Sequence, residues 1–208
     1  MMKTMQWMLA TGAALALGPA SARADTVASA EPGHAAVTQP ERIDLAAVPA
    51  DCRDLAVPAD STSELLAWDQ RLSLAACEQD TSVAAAVTGA ESLSDLVASI
   101  VDSDRRSIAS YRDAAAHGPT RIRIAGAYWL GMTFINVMVR SRIALPHDAS
   151  LSLHRALEPL TASYAHDANL AFADVERLAS EPGLDASDAV TGLMIRSARA
   201  LRLALGAN

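Results

Sequence analysis

The chain has 208 residues, of which 24 are acidic and 17 are basic, giving a formal net charge of −7. Phosphate backbones repel a chain of this charge, so nucleic acid is excluded as an expected partner. Alanine and leucine dominate the apolar residues and only 4% of residues are aromatic, which favours helices over strands. We therefore expect an all-α protein with one core.

The first 24 residues have the organisation of a secretory signal peptide. Lys3 supplies a positive charge, residues 7–17 form an apolar stretch, and residues 22–24 read Ala-Arg-Ala, a small-residue cleavage motif. The apolar run is shorter than the ~20 residues that cross a bilayer, which argues against the alternative of an uncleaved anchor. We expect cleavage after Ala24 and a periplasmic or secreted protein without stable membrane insertion.

Residues 25–60 are rich in proline, alanine and acids, and their prolines interrupt any helix. We expect a disordered or extended tether that becomes ordered near Cys52. Cys52 and Cys77 are too far apart for a CxxC motif and lack histidines at zinc-site spacing. In an oxidising compartment they predict a structural disulfide, the alternative being two free buried thiols.

Capping residues and apolar periodicity predict the first two helices. Ser61 and Glu64 have the spacing of a capping box, and apolar residues then recur at helical spacing until about Gly89. Thr88 and Glu91 repeat the pattern before a second amphipathic helix, which ends at residues 118–119, Gly-Pro.

Three further helices follow. Pro119 begins a third helix whose uncharged stretch, residues 124–139, is apolar on every face and is therefore expected to be buried. Its sixteen residues reach about 24 Å, less than the ~30 Å of a bilayer core. The fourth helix begins at Asp148 or Ser150, and Pro159 predicts either a break or a kink in it. Residues 185–188 open a fifth helix, whose apolar residues are Val190, Leu193, Met194, Leu201 and Leu205.

Short connections between amphipathic helices predict that residues 61–208 form a single antiparallel bundle of about five helices, with the third helix central. Gly126 and Gly131 do not form a phosphate-binding loop, and small residues on a buried helix instead allow neighbouring helices to approach closely.

The sequence contains no recognisable catalytic or metal-binding motif, so we expect no catalytic residue, no metal and no cofactor. His147, His154 and His166 match a single helix face only in part. His154 and Glu158 have the spacing of a helix-surface pair.

Two polar residues fall in apolar surroundings and indicate a candidate ligand site. Asp104 lies on the apolar face of the second helix, and Asn136 lies within the apolar stretch of the third. Together with Tyr128, Trp129 and Tyr164 they are the candidate lining of a small pocket. In the alternative interpretation, each buried polar group is satisfied by an arginine or a backbone group.

Arg196, Arg199 and Arg202 recur every three residues along the last helix. This pattern is typical of a solvated face and is also compatible with an acidic partner.

These features predict an exported, non-catalytic helical protein that binds either a protein partner of the cell envelope or a small apolar ligand. One alternative is a cell-envelope enzyme that combines an acid such as Glu158 or Asp104 with a nearby histidine in three dimensions. A structural spacer is the other alternative.

Overall fold

The structure, a computed structural model, describes residues 48–55, 63–82, 92–145, 149–182, 184 and 188–206. These residues form six α-helices and one 3₁₀ helix, with no strand among them, which confirms the all-α prediction. The predicted signal peptide, most of the predicted tether, Ser61, Thr88, Glu91 and His147 lie outside the described residues.

The 3₁₀ helix comprises Ala50–Leu55, and the six α-helices are α1 (Glu64–Ser82), α2 (Leu93–Ser103), α3 (Arg105–His117), α4 (Thr120–Ile143), α5 (Leu151–Ala179) and α6 (Ala189–Gly206). Neither of the two expected capping pairs lies wholly within the described residues, and Asp148 also lies outside them, whereas Ser150 is described and acts as a cap. Ser150 accepts a hydrogen bond from the Leu153 N–H at 3.4 Å, and this bond caps α5. Pro159 lies inside α5, which continues through it for 29 residues.

The segment predicted as a single second helix is two helices, α2 and α3, so the expected number of about five α-helices becomes six. The break lies at Asp104, whose backbone angles (φ −92°, ψ 1°) depart from those of a helix. Its N–H is shared between the carbonyls of Ile100 and Val101, at 3.3 and 3.1 Å. Its carboxylate binds Arg140 of α4, 36 residues away in sequence.

Helix α4 contacts each of the other five α-helices. Two glycines permit this close packing. A Cβ on Gly126 would lie 2.7 Å from the Ala115 backbone nitrogen and 2.8 Å from the Tyr111 carbonyl oxygen of α3, and a Cβ on Gly131 would lie 2.6 Å from the Phe172 ring of α5. The interpretation of these glycines as packing residues is confirmed.

Among the described helices, α4 is long and apolar enough to cross a membrane, a test that buried core helices also pass. Its 24 residues extend about 36 Å, and 44% of its most apolar window is buried inside the protein. Two arginines near its ends bind carboxylates next to other helices: Arg123 pairs with Glu181, just after α5, and Arg140 pairs with Asp104, between α2 and α3. The burial and the ion pairs of α4 are those expected of a helix in the core of a protein.

Cys52 and Cys77 form the predicted disulfide, with their Cα atoms 5.9 Å apart. The bond joins the 3₁₀ helix to α1. Cys52 is fully buried together with Val48 and Leu74, so the disulfide and a small apolar cluster hold the end of the predicted tether against α1.

Candidate functional site

Asp104 is fully buried and binds an arginine of its own chain. Both oxygens of its carboxylate accept hydrogen bonds from Arg140 Nη1, at 3.0 and 2.9 Å, and Arg140 Nη2 donates to Ser103 Oγ at 3.1 Å. A buried carboxylate requires such a partner, because burying an unpaired charge is costly. The contacts of Asp104 are those that the structural interpretation expects.

Tyr128 and Trp129 pack against each other edge to face, with ring centroids 5.4 Å apart. Tyr128 also contacts Phe172, and its hydroxyl is hydrogen-bonded to Ser197. Burial raises the pKa of the Tyr128 phenol, and the hydrogen bond to Ser197 opposes this rise. Trp129 packs against a different apolar cluster, the one around Trp68. The two neighbours therefore contribute to different parts of the core.

Tyr164 stacks on Phe134 of α4, with ring centroids 6.2 Å apart, and Asn136 is half-buried on the same helix. Tyr164 and Tyr128 contact one shared cluster, Trp129 contacts another, and Asp104 is occupied by Arg140. The structure thus places the candidate ligand residues in several packing environments and does not bring all five together.

A histidine and a carboxylate meet at the C-terminus of α3. His117 Nδ1 lies 2.8 Å from Asp113 Oδ1, and Asp113 Oδ2 lies 2.9 Å from Arg71 Nη2 of α1. The His117 side chain is 55% exposed, and a histidine in the last turn of a helix interacts favourably with the helix dipole. By contrast, His154 and Glu158 are both exposed, and the described part of the chain shows no ion pair between them.

Three charged residues meet where α1, α4 and α6 approach one another. Arg121 Nε lies 3.2 Å from Asp188 Oδ2, and Asp188 accepts a hydrogen bond from the Val190 N–H at the start of α6. Burial raises the pKa of Asp69, while the charge of Arg121 lowers it and that of Asp188 raises it. The pKa of Asp188 is lowered, mainly by its hydrogen bond from Thr191. Within the described ranges, no group of three acidic, histidine or cysteine side chains has the arrangement of a metal site.

The solvent-facing side of α6 carries apolar side chains. Leu203 is 71% exposed and Leu193 is 45% exposed. Ala189, Arg196 and Ala200 on the same helix are also exposed. In chain order these five residues are separated by four, three, four and three residues, so they lie along one line of the helix. We call these five residues the α6 outer face.

This surface differs from the sequence prediction for the last helix. Met194, Leu201 and Leu205 are half-buried against the core, whereas Val190 and Leu193, which were grouped with them, are exposed. The sequence signal for the outer face is the alternation of three- and four-residue steps, which is the spacing of a coiled-coil seam. The outer face lies beside the line of apolar residues that packs against the core. Helical periodicity alone does not distinguish these two lines.

The arginines of α6 are in two environments. Arg202 Nη1 donates a hydrogen bond to Glu176 of α5 at 2.9 Å, and Arg199 Nε lies 3.9 Å from the same carboxylate. Arg196 is exposed and has no ion pair with any residue that the structure describes. The α6 outer face therefore contains, between two exposed leucines, one arginine that has no ion pair among the described residues.

Comparisons with protein-family models, with curated proteins and with solved structures gave no match to this chain.

Proposed function

We propose that this protein is exported from the cytosol and acts without catalysis, by binding a protein partner of the cell envelope through the α6 outer face. The single observation that carries this proposal is the pair of exposed leucines, Leu193 and Leu203, on that face. Exposed apolar residues that share one surface are characteristic of protein interaction sites.

Several contacts favour a protein partner over a small apolar ligand. The candidate lining residues contact one another or their neighbours: Tyr128 packs on Trp129, Tyr164 stacks on Phe134, and Asp104 is bound by Arg140. The exposed leucines instead lie on the outside of a helix, a convex surface that suits another helix better than a small molecule.

The proposal includes export and a single antiparallel bundle with an extended N-terminal tether. The signal-peptide pattern of residues 1–24 supports export, with cleavage after Ala24 and a final location in the periplasm or outside the cell. The Cys52–Cys77 disulfide supports the same conclusion, because such bonds persist in oxidising compartments. Mass spectrometry of the protein recovered from outside the cytosol should show an N-terminus at Asp25, and an intact residue 1 would contradict this part of the proposal.

Site-specific photocrosslinking tests the proposed binding. A photoreactive amino acid at position 203 should give a discrete covalent adduct with another protein in cells that export this chain. The matched control places the same amino acid at Leu151, which is 76% exposed at the first residue of α5. Equal adducts at both positions, or none at position 203, would contradict binding through the α6 outer face.

A further inference from the structure

We propose that the partner contributes an acidic amphipathic helix, which lies along the α6 outer face with its apolar side chains against Leu193 and Leu203 and a carboxylate against Arg196. This inference rests on the proposed function and specifies the chemistry of the partner. It is argued from the spacing, the charge and the composition of α6.

The spacing of the outer face fits a helix. Ala189, Leu193, Arg196, Ala200 and Leu203 are separated by alternating steps of four and three residues, which keep side chains facing a neighbouring helix. Ala189 and Ala200 are small and allow the helix axes to approach, while Leu193 and Leu203 supply the side chains that pack between residues of the partner.

The charge of α6 requires acids on the partner. The helix contains three arginines and no acidic residue along its 18 residues, in a chain whose net charge is −7. Arg199 and Arg202 already face Glu176, so Arg196 is the arginine of this helix without an ion pair among the described residues. Docking an apolar helix over Arg196 would desolvate an unpaired charge, which a carboxylate on the partner avoids.

The same charges disfavour a second copy of this chain as the occupant. Two α6 helices packed antiparallel about their middles would place Arg196 and Arg199 of both copies close together, and a parallel pair would align Arg196 with its own counterpart. Since α6 supplies no carboxylate to either arrangement, both would concentrate positive charge, which destabilises an interface.

An anionic membrane surface is also a less suitable occupant. Amphipathic helices that bind membranes carry large apolar residues and many uncompensated cations. The outer face has two leucines, no aromatic residue and one arginine, which lacks an ion pair within the part of the chain that the structure describes. The acidic chain as a whole is repelled by anionic lipid.

Two synthetic helices of equal length test the inference. Both carry leucines at coiled-coil spacing, with glutamates flanking the leucines in one peptide and lysines in the other, and both are used at concentrations where they are monomeric. Fluorescence anisotropy with the mature, disulfide-bonded protein should show that the glutamate peptide binds at least about tenfold more tightly. Arg196→Glu should reverse this preference.

Matched substitutions then locate the binding surface. Leu203→Gln should weaken binding of the glutamate peptide by more than about tenfold, because a buried leucine contact is lost. Leu151→Gln, at an exposed position on α5, should leave the Kd unchanged. Circular dichroism of each variant confirms that it remains folded, so a loss of binding reports on the surface itself.

Each remaining outcome overturns the inference in a distinguishable way. If crosslinking at position 203 captures a partner but the peptides bind equally, or Arg196→Glu changes nothing, the proposed function stands and the acidic helix is wrong. Preferential binding to phosphatidylglycerol vesicles would assign the face to a membrane, and dimerisation abolished by Leu203→Gln would assign it to a second copy. Binding by neither peptide rejects helix docking.

Discussion

At the scale of single residues, the buried pair of Asp104 and Arg140 connects the break between α2 and α3 to the central helix. The carboxylate is fully buried and the arginine side chain is 13% exposed. Buried ion pairs contribute little to folding stability compared with well-packed apolar side chains of similar size. Removing one partner is nevertheless costly, because it leaves an unpaired buried charge. Asp104 therefore fixes where the chain turns and makes that turn sensitive to substitution.

We predict that Asp104→Ala lowers the free energy of unfolding by about 3–5 kcal/mol, because Arg140 loses its buried partner. The matched control is Asp102→Ala, which removes an exposed ion pair between Asp102 at the end of α2 and Arg105 at the start of α3 and should cost at most about 1 kcal/mol. Urea denaturation followed by circular dichroism measures both values. Equal effects would show that burial of the pair is not what determines its importance.

Gly131 provides a second test at the residue scale. A Cβ there would lie 2.6 Å from the Phe172 ring, which is fully buried and has little room to move. We predict that Gly131→Ala destabilises the protein by about 1–3 kcal/mol through overpacking.

The control for this substitution is Gly192→Ala in α6, where the nearest atom to a new Cβ is Arg196 Nη1 at 3.4 Å. The higher helix propensity of alanine should make that variant more stable by up to about 1 kcal/mol. Thermal unfolding should therefore shift in opposite directions for the two variants. A shift in the same direction would reject close packing at Gly131.

At the scale of helices, local signals predicted several of the boundaries that the structure describes. Gly118 and Pro119 separate α3 from α4, and Ser150 caps α5 as expected. The break at Asp104 was missed because the interaction that accompanies it comes from Arg140, on another helix. Pro159 did not end α5, since the helix continues beyond it.

The disulfide also acts at the scale of elements, because it joins the 3₁₀ helix to α1 across a sequence separation of 25 residues. We predict that replacing both Cys52 and Cys77 with serine lowers the free energy of unfolding by about 3.5 kcal/mol, the value that loop closure gives in the chain-entropy model. Chemical denaturation with and without reductant measures this effect. Reductant should destabilise the original protein to the same extent and leave the double variant unchanged; a variant that still responds to reductant would contradict the assignment.

At the scale of the whole molecule, the sequence predicted the helical class and the disulfide but not the candidate surface. Leu193 and Leu203 lie in the same apolar helix as Met194 and Leu201, and only packing against the core determines which of them are covered. The five candidate ligand residues stay a prediction: Tyr128 packs on Trp129, and Asp104 is bound by Arg140. Which side chains a surface exposes depends on tertiary packing, and periodicity does not encode that packing.

The junction of α1, α4 and α6 gives the protein a pH dependence with two opposing contributions. The pKa of Asp69 is raised above 3.8, first by burial and then by the charge of Asp188, against the lowering effect of Arg121. Folding therefore favours the protonated form of Asp69, and its contribution to stability is lost as the pH rises from 3.8 through its pKa in the folded state. Asp188 has a lowered pKa, so its contribution is present above 3.8 and is lost as the pH falls through its pKa in the folded state.

We predict that Asp69→Asn raises the melting temperature at neutral pH, because the variant no longer buries an ionised carboxylate, and that this gain shrinks as the pH falls toward 3.8. Asp188→Asn should do the opposite at neutral pH, since it removes the ion pair with Arg121, and its deficit should also shrink in acid as the original carboxylate becomes protonated. Thermal unfolding from pH 7 down to the acid limit of solubility, at constant ionic strength, compares the three proteins. A gain for Asp69→Asn that is independent of pH would contradict a raised pKa for Asp69. A loss at pH 7 would show that neighbouring charges outweigh burial at this junction.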